Sequence, residues 1–327
     1  MKFPKTFLSF LRLGGLVFAL GAGAPSILAA TPVPSVIKLV VPYPPGGSTD
    51  QLARQVASAL GQRLKTTVIV ENRPGAGSVL GTDTVAKAKP DGATLLLTTS
   101  ALSITAALRR QMPYDPVTDL VPLAILTEVP LVLAVPTISS YRSMNDLIAD
   151  ARARPGALNY GSSGVGSSNH MAAEWFASAA KIKLTHVPYK GMSPATVDLA
   201  GGQVQLILAT YSSLSSVLQG DKVRALAITA PQPSASLPGI PTVAATVPGF
   251  SMSIWFGVFA PRRTPADLAA LFSTELRAIR ASPELAAFLS GEKAGPSGMD
   301  SVASSALIRT EVQEFRRIAS EQKIEIE

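Results

Sequence analysis

The order in which two hydrophobic periods follow one another constrains this chain more than any single motif. Val36 to Val41 is a continuous apolar run broken only by Lys38, and it stops at Pro42-Tyr43-Pro44-Pro45-Gly46-Gly47. A helix is expected next, because Leu52, Val56, Leu60 and Leu64 recur every four residues along Ser48 to Lys65. Ser48 with Gln51 three residues later reads as a capping box at its start. Further strand-like runs lie at Thr67 to Val70, Thr94 to Thr99, Leu131 to Val135, Leu184 to Val187, Val204 to Ala209, Arg224 to Thr229 and Ile254 to Phe259. Helical patterns sit between most of them, clearest at Ser143 to Arg152, Ser168 to Ala180, Pro194 to Ala200 and Thr264 to Arg280. A βαβα order of this kind predicts parallel sheets covered by helices.

The first thirty residues stand apart. Lys2, Lys5 and Arg12 precede the apolar run Leu13 to Ala22, no Asp or Glu occurs, and small residues end the segment at Leu28-Ala29-Ala30. This is the layout of a secretory signal peptide, expected to be cut after Ala30 in preference to Ala24, which Pro25 follows. The apolar stretch is interrupted by glycines and shorter than the ~20 residues of a spanning helix, which disfavours an uncleaved anchor. Its removal takes three cations and lowers the formal surplus from +7 to about +4. The chain has no cysteine and hence no lipidation motif, so a free periplasmic protein is expected. The remaining length favours two lobes. Candidate crossings are the Pro-bounded run Pro130 to Pro136 and the Pro/Ser-rich stretch Pro231 to Pro248. They divide the chain into a signal peptide 1–30, a first lobe 31–130, a second lobe 131–248, and a return 249–327 with the C-terminal helices.

Composition removes several kinds of chemistry. Without cysteine there is no disulfide scaffold, thiolate zinc site or Cys nucleophile, and two histidines make no multi-His cluster. No cofactor or metal is expected. With 16% charged and 47% hydrophobic residues the chain is not disordered. Scattered cations and 6% aromatics offer neither a phosphate-tracking stripe nor a stacking platform for nucleic acid. No GxSxG, HExxH or GxxxxGK[ST] is present.

What remains is two glycine and serine loops, each placed between a strand and a helix. The first is Pro42 to Asp50, where Gly46 and Gly47 leave the amides of a helix start open to a ligand. The second is Tyr160 to Ser168, rich in amides and hydroxyls and followed by His170. Facing each other, the two would hold a small carboxylate by hydrogen bonds and helix dipoles without a full counter-charge. Either loop alone reads equally well as a tight turn with a serine cap. His170 is balanced between the cleft and a capping role, His186 is expected to be structural, Lys190 solvated, and Gly75-Ala76-Gly77 a structural turn.

The segments Val41 to Asp50, Glu71 to Gly77, Tyr160 to Glu174, His186 to Gly191 and Phe256 to Pro261 resemble, in order, the signature segments of the Bug receptors. These are the extracytoplasmic solute-binding proteins of tripartite tricarboxylate transporters. The resemblance covers essentially the whole chain after the signal. It implies a two-lobed α/β periplasmic binding protein fold of type II, each lobe a mostly parallel sheet flanked by helices, with the ligand cleft between them. It also implies a monomer without chemistry of its own. That receptor would capture a small carboxylate and deliver it to integral membrane permease subunits, or report it to a sensor protein.

Site residues carried over from the resemblance are Tyr43, Gly46, Gly47, Ser48 and Asp50 from one lobe, with Thr99 and Ser100 behind them. From the other lobe come Ser162, Gly164, Gly166, Ser167, Ser168 and His170. One departure is the absence of Asp or Glu from Gln205 to Thr210, where many relatives carry an acid; it points to a ligand without an ammonium group. The competing enzyme reading is a secreted hydrolase using a loop serine, for which the sequence shows no evident base.

Overall fold

The computed structural model describes residues 31–324, so the expected signal peptide lies outside the described residues. Among the described residues, ten strands join in one sheet system. β1 (Val36–Val41), β2 (Thr67–Asn72) and β3 (Thr94–Thr99) form a parallel trio in the order β2-β1-β3. A second parallel trio, in the order β7-β5-β6, comprises β5 (Asn159–Ser162), β6 (Thr185–Pro188) and β7 (Leu206–Thr210).

The strands that join the trios are antiparallel. β4 (Leu120–Pro136) pairs along residues 120–130 with β9 (Ser253–Pro261), which also pairs with β3. Along residues 131–136 β4 pairs with β7 and with β8 (Val223–Ile228). The short β10 (Gly295–Pro296) adds to β4 at Glu128 and Thr127. The parallel expectation therefore holds for each trio and fails at the centre. Pro130 ends no strand: β4 is continuous for 17 residues and 15 of them are buried.

Helices follow the strands as their periodicity predicts. α1 (Ser48–Leu64), α2 (Val79–Ala86) and α3 (Ala101–Leu108) follow β1, β2 and β3; α4 (Met144–Ala153) precedes β5; α5 (Ser168–Ala180), α6 (Met192–Ala200) and α7 (Tyr211–Gln219) follow β5, β6 and β7. α8 (Ala266–Arg280), α9 (Pro283–Gly291) and α10 (Ser301–Gln322) lie beyond β9. One core packs Leu52, Val56 and Leu60 of α1 and Phe272 and Leu276 of α8 onto β1 and β3. Another packs Phe176 of α5, Phe250 and Phe315 of α10 around Leu131, Leu133 and Tyr160. The Pro/Ser-rich stretch 231–248 is ordered against the second trio, burying Leu237 and Val243.

The expected capping box at Ser48 does not form. Gly47 stands at the cap position with no side-chain cap, and Gln51 Nε2 donates to the Gly46 carbonyl at 3.2 Å. A capping box does form at α4, between Ser143 and Asp146.

Gly75-Ala76-Gly77 is a tight turn in which Gly75, Ala76, Gly77 and Ser78 all have positive φ, and Thr105 Oγ1 pins it by donating to the Gly77 carbonyl at 3.0 Å. Directly after it, Gly81 sets α2 against the ends of β1 and β2. A Cβ there would lie 2.6 Å from the Arg73 carbonyl oxygen and 2.9 Å from Pro42 Cα, both backbone atoms that cannot rotate away. Gly81→Val is expected to lower stability by about 1–3 kcal/mol, read as a shifted denaturant midpoint with an unchanged slope.

Candidate functional site

The strand directions bring the two trios end to end. β3 runs parallel to β4, since both are antiparallel to β9, whereas β7 runs antiparallel to β4. The carboxyl ends of the first trio therefore point along β4 towards the second, and those of the second point back. Thr99 at the end of β3 is in register with Phe256 and through it with Thr127; Thr210 at the end of β7 is in register with Leu131. Four residues of one strand separate the two levels, roughly 13 Å at about 3.3 Å per residue. That leaves room for a small molecule.

Six helices begin at these facing ends, and in five of them the residue at the cap position gives no side-chain cap, although at α3 the Ala101 N–H donates to Thr99 Oγ1 at 3.3 Å. The cap positions of α1, α2, α3, α6 and α7 are Gly47, Ser78, Ser100, Gly191 and Thr210, none with a side-chain cap bond among the described residues. α5 has one, from the His170 amide to Ser167 Oγ at 3.3 Å. Uncapped helix starts leave N–H groups without partners and a partial positive charge, the requirement for holding an anion without a cation.

The first loop is held from behind by Asp50, which is 3% exposed. Its carboxylate accepts the Gly46 N–H at 2.9 Å, Arg54 Nε and Nη2 at 3.0 and 3.1 Å, and Asn72 Nδ2 at 2.9 Å. The Gly46 amide leads the interactions that hold the Asp50 pKa below its ordinary value. Asp50 thus organises the loop from within, while Gly46, Gly47 and Ser48 are exposed at its surface. A Cβ added to Gly47 would meet no atom within 4 Å, so its face is open. Tyr43 reaches across to β3, its hydroxyl 2.8 Å from Thr99 Oγ1 and 3.2 Å from Thr98 Oγ1. Ser100 is fully buried; its amide donates to the Trp255 carbonyl at 3.1 Å and its hydroxyl has no partner among the described residues.

The second loop hangs from a buried aromatic stack. The rings of His170 and His186 lie 4.0 Å apart and those of His186 and Tyr160 4.9 Å apart, all nearly parallel. His186 Nε2 is 2.6 Å from Ser162 Oγ, which accepts the Gly164 N–H at 3.1 Å. His170 Nδ1 accepts the Gly166 N–H at 3.1 Å, so that nitrogen carries no proton. Burial first, then the neighbouring His186, pushes the His170 pKa down to about 3. Burial also lowers His186 and raises Glu174, to which the Tyr160 hydroxyl donates.

Ser162 and His170 are therefore buried supports, while Gly164, Gly166, Ser167 and Ser168 remain at least partly accessible. Val165, between two glycines of positive φ, presents an apolar tip. The Ser162 and His186 pair is the arrangement a hydrolase would need, but Ser162 is entirely buried and its hydroxyl is already engaged.

Residues missed by the sequence reading are the ones that hold these loops. Asn72 sits 22 positions from Asp50, and Asn169 accepts from Ser163 at 3.0 Å while donating to the Leu208 carbonyl at 2.6 Å. Asn72 and Leu208 are distant in sequence from the loops they serve and leave no local pattern. Lys190 is exposed, as expected. No helix among the described residues is long and apolar enough to cross a membrane.

The neutral state of His170 has a measurable consequence. Above pH 6.5 it is neutral in both folded and unfolded chains; between 6.5 and about 3 only the unfolded chain takes up the proton. Stability should therefore fall as pH falls through that window, by up to about 2 kcal/mol at pH 5 from this residue. His170→Gln keeps an acceptor but cannot titrate. Its denaturation free energy should fall less than wild type between pH 7.5 and 5, and parallel curves would show that His170 is not held neutral.

Residues 52–324 match the family model described as the tripartite tricarboxylate transporter family receptor. The protein BugT of Bordetella pertussis is 34% identical over 309 residues, covering 93% of this chain and 95% of BugT. Among solved structures, R. palustris Rpa4515 with adipate aligns with a TM-score of 0.73 at 34% identity, over 89% of this chain and 98% of that one. MatC from Rhodopseudomonas palustris with bound malate aligns with a TM-score of 0.71 at 27% identity, over 86% and 98%.

Proposed function

The chain belongs to the tripartite tricarboxylate transporter receptor family, and from that premise we propose that it captures a small di- or tricarboxylate, or a related organic acid, outside the inner membrane. It then delivers the acid to the integral membrane subunits of such a transporter. The observation that carries this reading is the opposition of two sets of mostly uncapped helix starts, which follow strand ends roughly 13 Å apart along β4. That spacing and polarity suit a molecule with an anionic group at each end. The acids in the two solved relatives, adipate and malate, are both dicarboxylates.

In this reading the contacts come from Gly46, Gly47 and Ser48 on one side, with Tyr43 and Thr99 at the floor, and from Gly164, Gly166, Ser167 and Ser168 on the other. Asp50, Ser100, Ser162 and His170 act through the loops they hold. The lobes are residues 31–130 with 249–327, and residues 131–248. Each lobe supplies part of the hydrogen bonding, so an acid that bridges both stabilises the closed form by its differential contacts. The chain acts as a periplasmic monomer without chemistry of its own, after removal of the signal peptide.

Gly47 gives the cleanest test. Its φ of −76° suits any residue and nothing crowds its Cβ position, so Gly47→Phe is expected to fold with an unchanged melting temperature. The ring would cover the α1 amides and reduce carboxylate affinity at least a hundredfold in calorimetry. Gly166 has a φ of +76°, so a bulky residue there would also strain the loop and is the less discriminating variant. Wild-type affinity in Gly47→Phe would place the ligand elsewhere.

A further inference from the structure

One helix start at the cleft already has a buried carboxyl group of the protein itself beside it. α9 packs with the first trio, where Leu285 and Leu289 share the core of β1, β3 and α1, and Phe288 meets Phe256 edge-on at 5.5 Å. Yet the turn that ends it reaches α7 of the second trio. Ser212, in the first turn of α7, faces the Glu292 carboxyl, and Lys293 Nζ lies 5.4 Å from the centre of the Tyr211 ring. Pairing of β10 with Glu128 and Thr127, four residues or fewer from the Leu131 that pairs with Thr210, brings this turn to the cleft end of β7.

Glu292 is 8% exposed, and its Oε2 is buried with no hydrogen-bond partner among the described residues. α7 is nine residues long and has no side-chain cap of its own, since the Thr210 hydroxyl is taken up with those of Ser212 and Ser213 at 2.9 and 3.0 Å. A buried, under-partnered carboxylate thus sits at an uncapped helix start. β7 contributes no acid at this junction, and α9 supplies one from the other side of the cleft.

Resting on the receptor reading above, we propose that Glu292 is a specificity-determining residue: an internal carboxylate that fills the anion position at the α7 start and restricts the cleft to dicarboxylates over tricarboxylates. A helix start carries only about half a unit of positive charge. One carboxylate already exceeds it, and a second at the same place would face a like charge that only the Lys293 ammonium over the Tyr211 ring offsets. The α1 and α5 starts, which follow the two glycine loops, then accept the two ends of a dicarboxylate, and the α7 start is closed to a third carboxylate. Neutralising Glu292 should open it.

The test uses acids that share a carbon chain. Glutarate and propane-1,2,3-tricarboxylate differ by one carboxylate, and succinate, adipate and citrate widen the panel. Titration calorimetry of the mature protein at pH 8 keeps every acid fully ionised. Wild type is expected to bind its best dicarboxylate at least tenfold more tightly than either tricarboxylate. Glu292→Gln, which keeps the shape and removes the charge, should narrow that ratio at least fivefold by gaining tricarboxylate affinity, with dicarboxylate affinity held within twofold. Glu292→Asp should retain the discrimination.

Dicarboxylate binding with the same ratio in Glu292→Gln overturns the role of Glu292 alone. So does wild-type preference for aspartate over succinate that disappears in Glu292→Gln, which would assign the carboxylate to a ligand ammonium. A wild-type chain that binds no acid of the panel overturns the receptor reading and this inference with it.

Discussion

The site depends on one strand that never ends where its prolines suggest it should. β4 runs unbroken from Leu120 to Pro136, pairing with β9 over its first part and with β7 and β8 over its last. Because the parallel trios attach to it with opposite polarity, their carboxyl ends are obliged to face each other. Ligands of open parallel sheets bind outside the carboxyl ends of the strands. Here two such ends converge on the same few residues of β4, so the cleft follows from the sheet topology before any side chain is considered.

Binding an anion in that cleft requires no cation in it. The helices that start there are mostly left without side-chain caps, while α4 and α10, which start elsewhere, have them from Ser143 and Asp300. The protein's charges act one layer further back. Asp50 gathers an amide, a guanidinium and an amide side chain to shape the first loop, and a neutral imidazole does the corresponding work for the second. Burial keeps His170 uncharged, which lets it accept the Gly166 N–H. Charged groups are thus used to fix backbone, and in the proposed reading backbone is left to meet the ligand.

Much of this was legible in the residues. The strand and helix periods located β1, β3, α1 and α5 almost to the residue, and both glycine loops stand where the sheet ends meet. The expected capping box at Ser48 failed for a physical reason: a glycine at the cap keeps the helix start accessible, and Gln51 turns back to the Gly46 carbonyl instead. The first half of β4 was missed because Pro122 and Pro130 break the strand pattern without breaking the strand. Separating exposed candidate contacts from buried supports needed the folded structure. Asp50 and Ser48 are equally polar neighbours in sequence, and only burial shows that one faces inward and the other out. Glu292 carries no local sign at all, since its relation to α7 exists only through the pairing of β10 with β4.

The central claim is that backbone amides at two opposed sets of helix starts hold one acid between them. Amide chemical shifts of the labelled mature protein, followed during titration with a dicarboxylate, test it directly. The amides of Ser48 and Thr49 and those of Val165 and Ser168 are expected to shift downfield together and saturate with a single affinity, whereas the Gly166 and Ser167 amides, already bonded to His170 Nδ1 and the Gly164 carbonyl, should move less. Saturable shifts confined to one of the two loops, or centred away from both, would contradict it.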